Sequence, residues 1–342
     1  MKKVAHIYAS KVKFNSGDFM LGISTKKYFE EVVIGETCEF TDFDCRQANL
    51  YKPESISAFN KFDYIIVGGG GLILPDSSPN KSSCWQWVIP IESYDKITKP
   101  IYVISVGYNL FYGQDMTMPK RENNFSDASR LDIFKPNIRK LINKAEKFTL
   151  RHTGDMNSLI SVIGVDIKDK LSMEYCPSIW YVEKYWKPQI DSMGNKKYLG
   201  VEIKDDREWR RYYKIGKGRF YNELYEFIVE YRNKNGNDSV VYMSHDGSMN
   251  FYRFLQSKGM KLKLLNNTSG NEVSIRNNYS LLHTLLCSAG HSQMIGYGCG
   301  IDIISLVSHP KLEYFCEDIK NEKLIRVNSD GLVSNLKKYT NI

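Results

Sequence analysis

The chain has 342 residues, of which 42% are hydrophobic and 25% charged, and its formal net charge is +8. This composition is typical of a soluble globular protein, and the length suggests two domains of ordinary size. No apolar run is long enough to span a membrane, and the N-terminal residues lack the apolar region of a secretory signal.

The N-terminal half alternates short strands with helices. Strands are predicted at residues 3–10, 38–44, 64–69, 101–107 and 147–152. Helices are predicted after the first strand, with Asp18 as the N-cap, and at 53–61, 134–146 and 154–163. This alternation indicates α/β architecture.

A polar segment at 182–196, "VEKYWKPQIDSMGNK", is interpreted as an inter-domain connection, after which the alternation restarts. The later strands are predicted at 198–204, 239–246, 260–265 and 301–307, and the later helices at 219–233, 247–257, 274–289 and 291–297. We therefore predict two doubly wound domains, 1–185 and 186–342, with the last ~20 residues able to pack back on the first domain.

The cysteines are scattered along the chain and form no Cys-x-x-Cys pair: Cys38, Cys45, Cys84, Cys176, Cys287, Cys299 and Cys316. An odd, dispersed set indicates reduced thiols in a cytoplasmic protein rather than disulfides or zinc. Since no cluster has metal-ligand spacing, we expect no metal and no bound cofactor.

A run of four glycines lies within residues 64–75, "YIIVGGGGLILP". A dinucleotide fingerprint that began at Gly68 would need glycine at the sixth place, where the chain has Ile73, so that fingerprint is absent. The glycines permit close approach at the tip of a strand. Contact with a ligand and tight packing of strand on helix are equally compatible with this pattern.

Two loops contain polar groups suited to a binding site. "FNSGDFMLG" places Asn15 and Asp18 at a helix N-terminus, where free N–H groups attract anions or hydroxyls, although Asp18 could serve only as a cap. "SAGHSQMIGYGCG" places His291 at the start of a helix, whose dipole opposes protonation of the ring. His245 follows a strand in the second domain, where it would point into a cleft. A lone histidine is more often structural than catalytic.

The segment 196–219 contains nine Lys or Arg against four Asp or Glu. Such a cluster is typical of proteins with an anionic partner, although it is equally compatible with a solvated surface. If the segment is helical, Arg207 and Arg211 share a face and could clamp a phosphate or carboxylate, unless they pair with the neighbouring acids. Trp85, in "CWQW", could stack on a sugar ring or belong to the core.

Taken in order, these stretches resemble the polysaccharide pyruvyl transferase family. The pieces are "NSGD", "DYIIVGGGGLIL", "ISVGYN", "FTLRHTGDMNSL" with Arg151, "EYCPSIW" and "GHSQMIGYGCGIDIISLVSHPKLEYF" with His291 and Lys311. The resemblance covers residues 3–317, nearly the whole chain. The ordered set is much more specific than any single motif.

The resemblance implies a glycosyltransferase-B-like fold, in which two Rossmann-like domains face a cleft. It implies transfer of the enolpyruvyl unit of phosphoenolpyruvate, the donor, onto two hydroxyls of a sugar, giving a pyruvate ketal. His291 and His245 are then the candidate catalytic residues. The donor candidates are Arg207, Arg211, His291, Lys311 and Arg151, and the acceptor candidates are Asn15, Asp18, Gly69, Gly70, Gly71 and Trp85.

One departure from the family pattern concerns Ala289, which stands where the family usually has arginine, two residues before the histidine. The usual proline before the late strand is also absent, with Asp302 near that place. Arg207 or Arg211 could replace the lost charge. The alternatives are a nucleotide-sugar-dependent glycosyltransferase of the same shape and a binding module that has lost catalysis.

The implied partners are an anionic small-molecule donor and a sugar or lipid-linked oligosaccharide acceptor, and no nucleic acid is implied. We expect a cytoplasmic enzyme of surface-polysaccharide biosynthesis. Any membrane contact would be peripheral, at the inner face, through the basic segment 196–219. The sequence predicts neither the acceptor sugar nor the oligomeric state.

Overall fold

The computed structural model describes residues 1–11, 14–74, 80–112, 127–194 and 196–342. The chain forms two compact units. The N-terminal unit comprises Met1–Val12 and Leu21–Pro177, and the C-terminal unit comprises Lys13–Met20 and Ser178–Ile342. Among the described residues, no helix combines the length and the apolar character that crossing a membrane requires.

The N-terminal unit is built on a parallel six-stranded sheet. Its strands are β1 (Lys2–Tyr8), β2 (Cys38–Asp44), β3 (Tyr64–Ile73), β4 (Ile101–Tyr108), β5 (Lys147–Leu150) and β6 (Ser172–Met173). Their order in the sheet is β2-β1-β3-β4-β5-β6, and each neighbouring pair is parallel. This is the flavodoxin-like doubly wound order.

Helices and short turns join these strands. They are α1 (Ser16–Tyr28) with its π-helical continuation Phe29–Ile34, α2 (Asp127–Lys144), α3 (Thr153–Ile163), and the 3₁₀ segments Ala48–Leu50, Ile56–Lys61, Ile91–Lys96 and Val165–Lys170. The central strands β3 and β4 are buried along most of their length. A parallel strand covered on both faces reads as a nearly continuous apolar run, which is the pattern that predicted β3 and β4.

The C-terminal unit has a second parallel six-stranded sheet. Its strands are β7 (Tyr198–Glu202), β8 (Val240–Ser244), β9 (Lys263–Asn266), β10 (Leu282–Cys287), β11 (Asp302–Val307) and β12 (Leu324–Arg326). The order is β12-β11-β10-β7-β8-β9, again all parallel. This is the Rossmann order, and the strand order reverses between β7 and β10.

Nine helices accompany the second sheet among the described residues: α4 (Pro177–Tyr181), α5 (Lys187–Met193), α6 (Glu208–Arg211), α7 (Lys217–Asn235), α8 (Asn250–Ser257), α9 (Glu272–Ser280), α10 (Gly290–Gly298), α11 (Pro310–Asp318) and α12 (Leu332–Thr340). A π-helical turn, Val182–Trp186, joins α4 to α5. In α7 the predicted apolar stripe is buried at Leu224, Ile228 and Tyr231. The α/β prediction is thus confirmed.

Two local predictions were wrong. Residues 274–289 were predicted to be helical, but α9 ends at Ser280 and β10 begins at Leu282. The sequence pattern did not separate the two structures, because a short apolar run that is buried on all sides looks the same in a strand and in a helix. The supposed linker 182–196 is helical as far as Met193. Trp186 and Ile190, four residues apart, are both buried there, and this is helical spacing.

Candidate active site

The C-terminal unit offers a site where its strand order reverses. In open α/β sheets, ligands bind beyond the carboxyl ends of the strands at such a reversal. Here β7 ends at Glu202 and β10 ends at Cys287. The chain beyond β10 enters α10 directly, so the polar residues that follow both strands meet at one edge of the sheet.

Glu202 connects the carboxyl end of β7 by hydrogen bonds to the residues that follow β10. Its Oε2 accepts hydrogen bonds from the backbone N–H groups of Ala289, at 2.9 Å, and Ser288, at 3.3 Å. Its backbone carbonyl also accepts from the Ser288 N–H at 3.1 Å, and the Lys204 N–H donates to Ser288 Oγ at 2.6 Å. Oε1 is buried and has no hydrogen-bond partner among the described residues. Burial raises the pKa of this carboxyl to about 7, against the opposing charge of Lys204.

His291 lies in the first turn of α10, immediately after the segment that Glu202 holds. Its imidazole packs against the backbone of Gly17, where an added Cβ would overlap the ring. Glycine is therefore required at this position for the close approach. The loop that precedes α1 and the N-terminus of α10 consequently form one packed group within the C-terminal unit.

His245 supports the same loop from the end of β8. Its Nδ1 lies 2.8 Å from Ser16 Oγ, and its carbonyl accepts from both the N–H and the Oγ–H of Ser16, at 3.0 and 2.9 Å. The rings of His245 and His291 lie 6.4 Å apart, centroid to centroid. Burial, followed by the charges of Lys204 and Lys311, lowers the pKa of His245 to about 3. The ring is therefore neutral at neutral pH.

Several cations gather around these imidazoles. Lys204, just beyond β7, forms an ion pair with Asp246, and its Nζ lies 3.7 Å from Asp206 Oδ1. The stem of Lys311 packs against Gly290, where an added Cβ would lie 3.3 Å from Lys311 Cε. Lys311 follows His309, whose Nδ1 accepts the Lys311 N–H at 3.2 Å as the N-cap of α11. The site therefore holds two lysine side chains, of which Lys204 is paired with aspartates.

The two arginines of the basic segment differ in role. Arg211 is 2% exposed and is held by Asp206 at 2.9 Å and by Ser308 Oγ at 3.1 Å. Arg207 precedes α6 in the left-handed conformation, and its Nε lies 3.7 Å from Asp206. Burial favours a raised pKa for Asp206, but the charges of Arg211 and Lys204, with two further cations, outweigh it and lower the pKa. The expected helical face shared by Arg207 and Arg211 is not formed, because α6 begins only at Glu208.

Asn15, rather than the expected Asp18, caps α1. The Asn15 Oδ1 accepts from the N–H groups of Gly17 and Asp18, at 2.9 and 3.2 Å. Asp18 lies in the first turn of the helix. Burial lowers the pKa of Lys204, and the negative charge of Asp18 acts in the opposite direction. Both residues, predicted on the acceptor side with the tetraglycine, therefore belong to the cluster around His291 in the C-terminal unit.

In the N-terminal unit, packing accounts for the tetraglycine. An added Cβ at Gly69 or Gly70 would lie 3.0 or 2.8 Å from the side chain of Leu21, and one at Gly71 would overlap the Asn109 amide. These contacts support the strand-on-helix alternative. Trp85, predicted to stack on a sugar, is instead fully buried in the core, where its indole N–H donates to Asn137 at 3.1 Å. A buried ring cannot present a face to a ligand.

Arg151, predicted as a donor contact, belongs to the N-terminal unit. It is 2% exposed, and its Nη2 donates to Asn109 Oδ1 at 3.2 Å. Gly107 leaves room for the guanidinium, because an added Cβ would lie 2.5 Å from Nη2. The guanidinium thus packs against residues of the N-terminal unit.

Sequence reasoning did not select Glu202, Lys204, Ser16 or Asp246. One signal was present for the first two, because an otherwise apolar strand, "YLGVEIK", ends in charged residues. Charges at the carboxyl end of a parallel strand are candidates for a site. Ser16 and Asp246 became visible only through their contacts with His245 and Lys204.

Solved structures of similar fold are UDP-N-acetylglucosamine 2-epimerases. The enzyme of Methanocaldococcus jannaschii in complex with UDP-GlcNAc and UDP is 11% identical, with a TM-score of 0.56, over 99% of this chain and 92% of that one. The Rickettsia bellii enzyme is 10% identical, with a TM-score of 0.54, over 100% and 88%. At this identity the likeness shows the fold alone, which is of the glycosyltransferase-B type with two Rossmann-like units.

No curated protein sequence matches the chain. The profile of the family described as polysaccharide pyruvyl transferase matches residues 15–285. This range begins at the loop that packs on His291 and ends within β10, so it includes Glu202, Lys204 and His245. Because the match extends over well more than half of the sequence, the chain belongs to the polysaccharide pyruvyl transferase family, a family of transferases.

Proposed function

We propose that this transferase moves the pyruvyl unit of phosphoenolpyruvate onto two hydroxyls of one sugar in a surface-polysaccharide precursor. Family membership supports the transfer, and the cluster around His291 supports an anionic donor. The reaction is proposed to occur in the cytoplasm, in keeping with seven cysteines that are all free thiols. A lipid-linked oligosaccharide is an acceptor of suitable chemistry.

The chemistry requires one proton on the donor and two from the acceptor. The methylene carbon of phosphoenolpyruvate gains a proton while the first sugar hydroxyl adds to the neighbouring carbon. The second hydroxyl then displaces phosphate from that carbon, so the products are the ketal and inorganic phosphate. The donor carries a phosphate and a carboxylate, which requires cations on both sides.

The observation that carries the proposal is the placement of His291 near His245, with ring centroids 6.4 Å apart, where the charges of Lys204 and Lys311 act on His245 and the stem of Lys311 packs against Gly290. His291 is assigned as the general acid because it lies in the first turn of α10 and is only partly buried. Lys204, Lys311 and Arg207 are assigned to the donor's anionic groups. They would supply the charge that the arginine replaced by Ala289 provides elsewhere in the family.

His245 receives a positioning role in this proposal. With a pKa of about 3 it neither delivers nor accepts a proton efficiently near neutral pH. Its contacts to Ser16 hold the loop that packs on His291. Arg211 is likewise assigned to structure, because Asp206 and Ser308 already occupy its guanidinium.

The test combines the purified protein with phosphoenolpyruvate and a panel of aryl glycosides, with release of inorganic phosphate and mass of the glycoside as readouts. We expect phosphate release that depends on one glycoside, together with a product of ketal mass. His291→Ala should reduce turnover by on the order of a hundredfold or more. His283→Ala is the matched control, because that half-buried ring contacts Thr284 instead.

A parallel arm replaces phosphoenolpyruvate with UDP-hexoses and CDP-glycerol. Transfer from a nucleotide donor, without any from phosphoenolpyruvate, would overturn the proposal in favour of the glycosyltransferase alternative. Thermal stabilisation by each donor is measured alongside, because a ligand that binds only the native state raises its stability. A lack of response to all donors and acceptors would favour a module that has lost catalysis.

A further inference from the structure

The N-terminal unit contains a buried arginine without an acidic partner. Arg151, immediately after β5, is 2% exposed, and an arginine side chain stays charged inside a protein. Its Nη2 donates to the Asn109 amide oxygen at 3.2 Å, and its Nε is buried without a hydrogen-bond partner. It forms no ion pair with a carboxylate among the residues that the structure describes. A buried cation that only a neutral amide compensates destabilises the folded protein.

Arg211 shows how a buried arginine is held where it serves the fold. It is likewise 2% exposed, but its Nη2 donates to the Asp206 carboxylate at 2.9 Å and its Nη1 donates to Ser308 Oγ at 3.1 Å. The carboxylate neutralises the Arg211 guanidinium. For Arg151, the described part of the chain supplies no such carboxylate, so its charge is left for an anionic ligand.

Three strand ends hold Arg151 and Asn109 at one edge of the first sheet. The Asn109 N–H donates to the Ile73 carbonyl, at the end of β3, at 2.9 Å, and the Arg151 N–H donates to the Val106 carbonyl of β4 at 3.0 Å. Ligands of open α/β sheets bind beyond the carboxyl ends of the strands. The helix α3 also begins at this edge, directly after β5, and the positive end of its dipole favours a negative ligand.

Two glycines leave the space that this pair of side chains occupies. An added Cβ at Gly107 would lie 2.5 Å from Arg151 Nη2, and one at Gly71 would overlap the Asn109 amide. Packing alone does not require a charged group here, because an apolar side chain would fill the same volume without the desolvation of a cation. The chain therefore keeps room for a guanidinium, the group whose planar fork matches a phosphate or a carboxylate.

We propose that Arg151 and Asn109 bind an anionic group carried by the acceptor sugar, either a phosphate or a carboxylate. This inference rests on the proposed function, which assigns Lys204, Lys311 and Arg207 to the anionic groups of the donor. A neutral sugar would leave the Arg151 guanidinium without a counter-charge, whereas a phosphate or carboxylate accepts two parallel N–H bonds from it. The acceptor is therefore a sugar phosphate, in free or linked form, or a uronic acid.

Binding of simple sugars to the full chain tests the inference without turnover. Hexose 1-phosphates, hexuronates and neutral methyl hexosides are titrated by calorimetry, and the two charged series distinguish a phosphate from a carboxylate. We expect one charged series to bind at least about tenfold more tightly than the neutral sugars. Arg151→Gln should remove this preference, and Arg151→Lys should restore only part of it, because an ammonium group lacks the planar fork. Lys140→Gln, at a surface cation of the same unit that pairs with Asp95, should keep it.

Stability without any ligand gives a second readout. Arg151→Met replaces the uncompensated charge by an apolar side chain, so the melting temperature should rise by roughly 2–4 °C. Arg211→Met should lower it, because that change removes the hydrogen bonds to Asp206 and Ser308. A fall of similar size in both variants overturns the inference and assigns Arg151 to the fold.

The donor is titrated with the same variants, so that the two proposals are tested separately. Arg151→Gln should leave the affinity for phosphoenolpyruvate unchanged. Weaker binding of phosphoenolpyruvate with unchanged binding of the charged sugars overturns the inference and assigns Arg151 to the donor, and the proposed function then stands. Absence of binding by every charged sugar also overturns the inference. Charged-sugar binding that depends on Arg151, without turnover of phosphoenolpyruvate, supports the anion site and overturns the proposed reaction instead.

Discussion

Glu202 accepts a hydrogen bond from the backbone N–H of Ala289 at 2.9 Å, and this contact joins the end of β7 to α10, the helix whose first turn contains His291. The sequence resemblance leads us to expect arginine at position 289, so this carboxyl lies close to the position at which the chain departs from that expectation. The carboxyl is buried, and only one of its oxygens has a partner among the described residues. Its ionisation is therefore coupled to the stability of the site.

The first prediction concerns the charge of Glu202. Burial raises its pKa from 4.5 to about 7, so the native state holds the proton more tightly than the unfolded state. The stability that this group contributes is complete below pH 4.5 and is lost as the pH rises through 7. Glu202→Gln, which cannot ionise, should gain stability relative to the native protein from pH 5 to pH 8, by on the order of 3 kcal/mol. Urea unfolding of both proteins at pH 5 and pH 8 measures this gain. A difference in unfolding free energy that is the same at both pH values would contradict the prediction.

The second prediction concerns His245, whose pKa is shifted in the opposite direction to that of Glu202. Burial lowers the pKa of His245 from 6.5 to about 3, so the unfolded state binds the proton more tightly. This contribution to stability is present above pH 6.5 and is lost as the pH falls towards 3. His245→Gln should therefore lose less stability than the native protein between pH 6.5 and pH 5, by about 2 kcal/mol. Equal acid sensitivity of the two proteins would show that the ring titrates normally.

Much of the scaffold was predictable from local pattern. Every strand predicted from the sequence is present, because runs such as 64–69 and 101–107 are apolar, short and bounded by turns. β10 was missed since its burial comes from β7 and β11 on either side, which sequence spacing does not reveal. The helical structure of residues 182–193 was missed because the polar residues of this segment outnumber its buried residues Val182, Trp186 and Ile190.

The candidate site was predictable in part. His291 and His245 were selected from helix and strand ends and Lys311 from the family resemblance, and the structure gathers them with Asn15 and Asp18. The roles of the tetraglycine and of Trp85 were ambiguous in the sequence. Glycine permits both tight packing and the close approach of a ligand, and tryptophan occurs both in protein cores and in sugar-binding sites. Only their contacts with Leu21 and Asn137 favour packing.

The third prediction tests the close approach of the α1 loop to His291. Gly17→Ala places a methyl group where the imidazole lies, so we expect a loss of about 1–3 kcal/mol in stability and a fall in turnover. Gly218→Ala is the matched control, because that glycine is exposed in α7 with open space around its Cα. It should be neutral or slightly stabilising. Equal behaviour of the two variants would mean that the loop and the ring are not packed together.

The fourth prediction separates donor contacts from structural charge. Lys311→Gln should raise the KM for phosphoenolpyruvate about tenfold without changing stability, because it removes one charge from the site. Arg211→Gln should cost on the order of 2–3 kcal/mol of stability, since it removes the charge that lies closest to Asp206 and the hydrogen bond to Ser308. Lys323→Gln, which breaks an exposed pair with Asp302, serves as the control for both measurements. A tenfold KM change in Arg211→Gln at unchanged stability would reverse the assignment.

The fifth prediction concerns the placement of Trp85 in the core. Trp85→Phe removes the indole N–H from Asn137 and leaves a small void, so we expect a loss of about 1–3 kcal/mol and an unchanged KM for the acceptor. Trp209→Phe, at an exposed tryptophan, should change stability by less than about 0.5 kcal/mol. Chemical unfolding and acceptor titration are measured on both variants. A large rise in acceptor KM with native stability in Trp85→Phe would return this ring to the binding site.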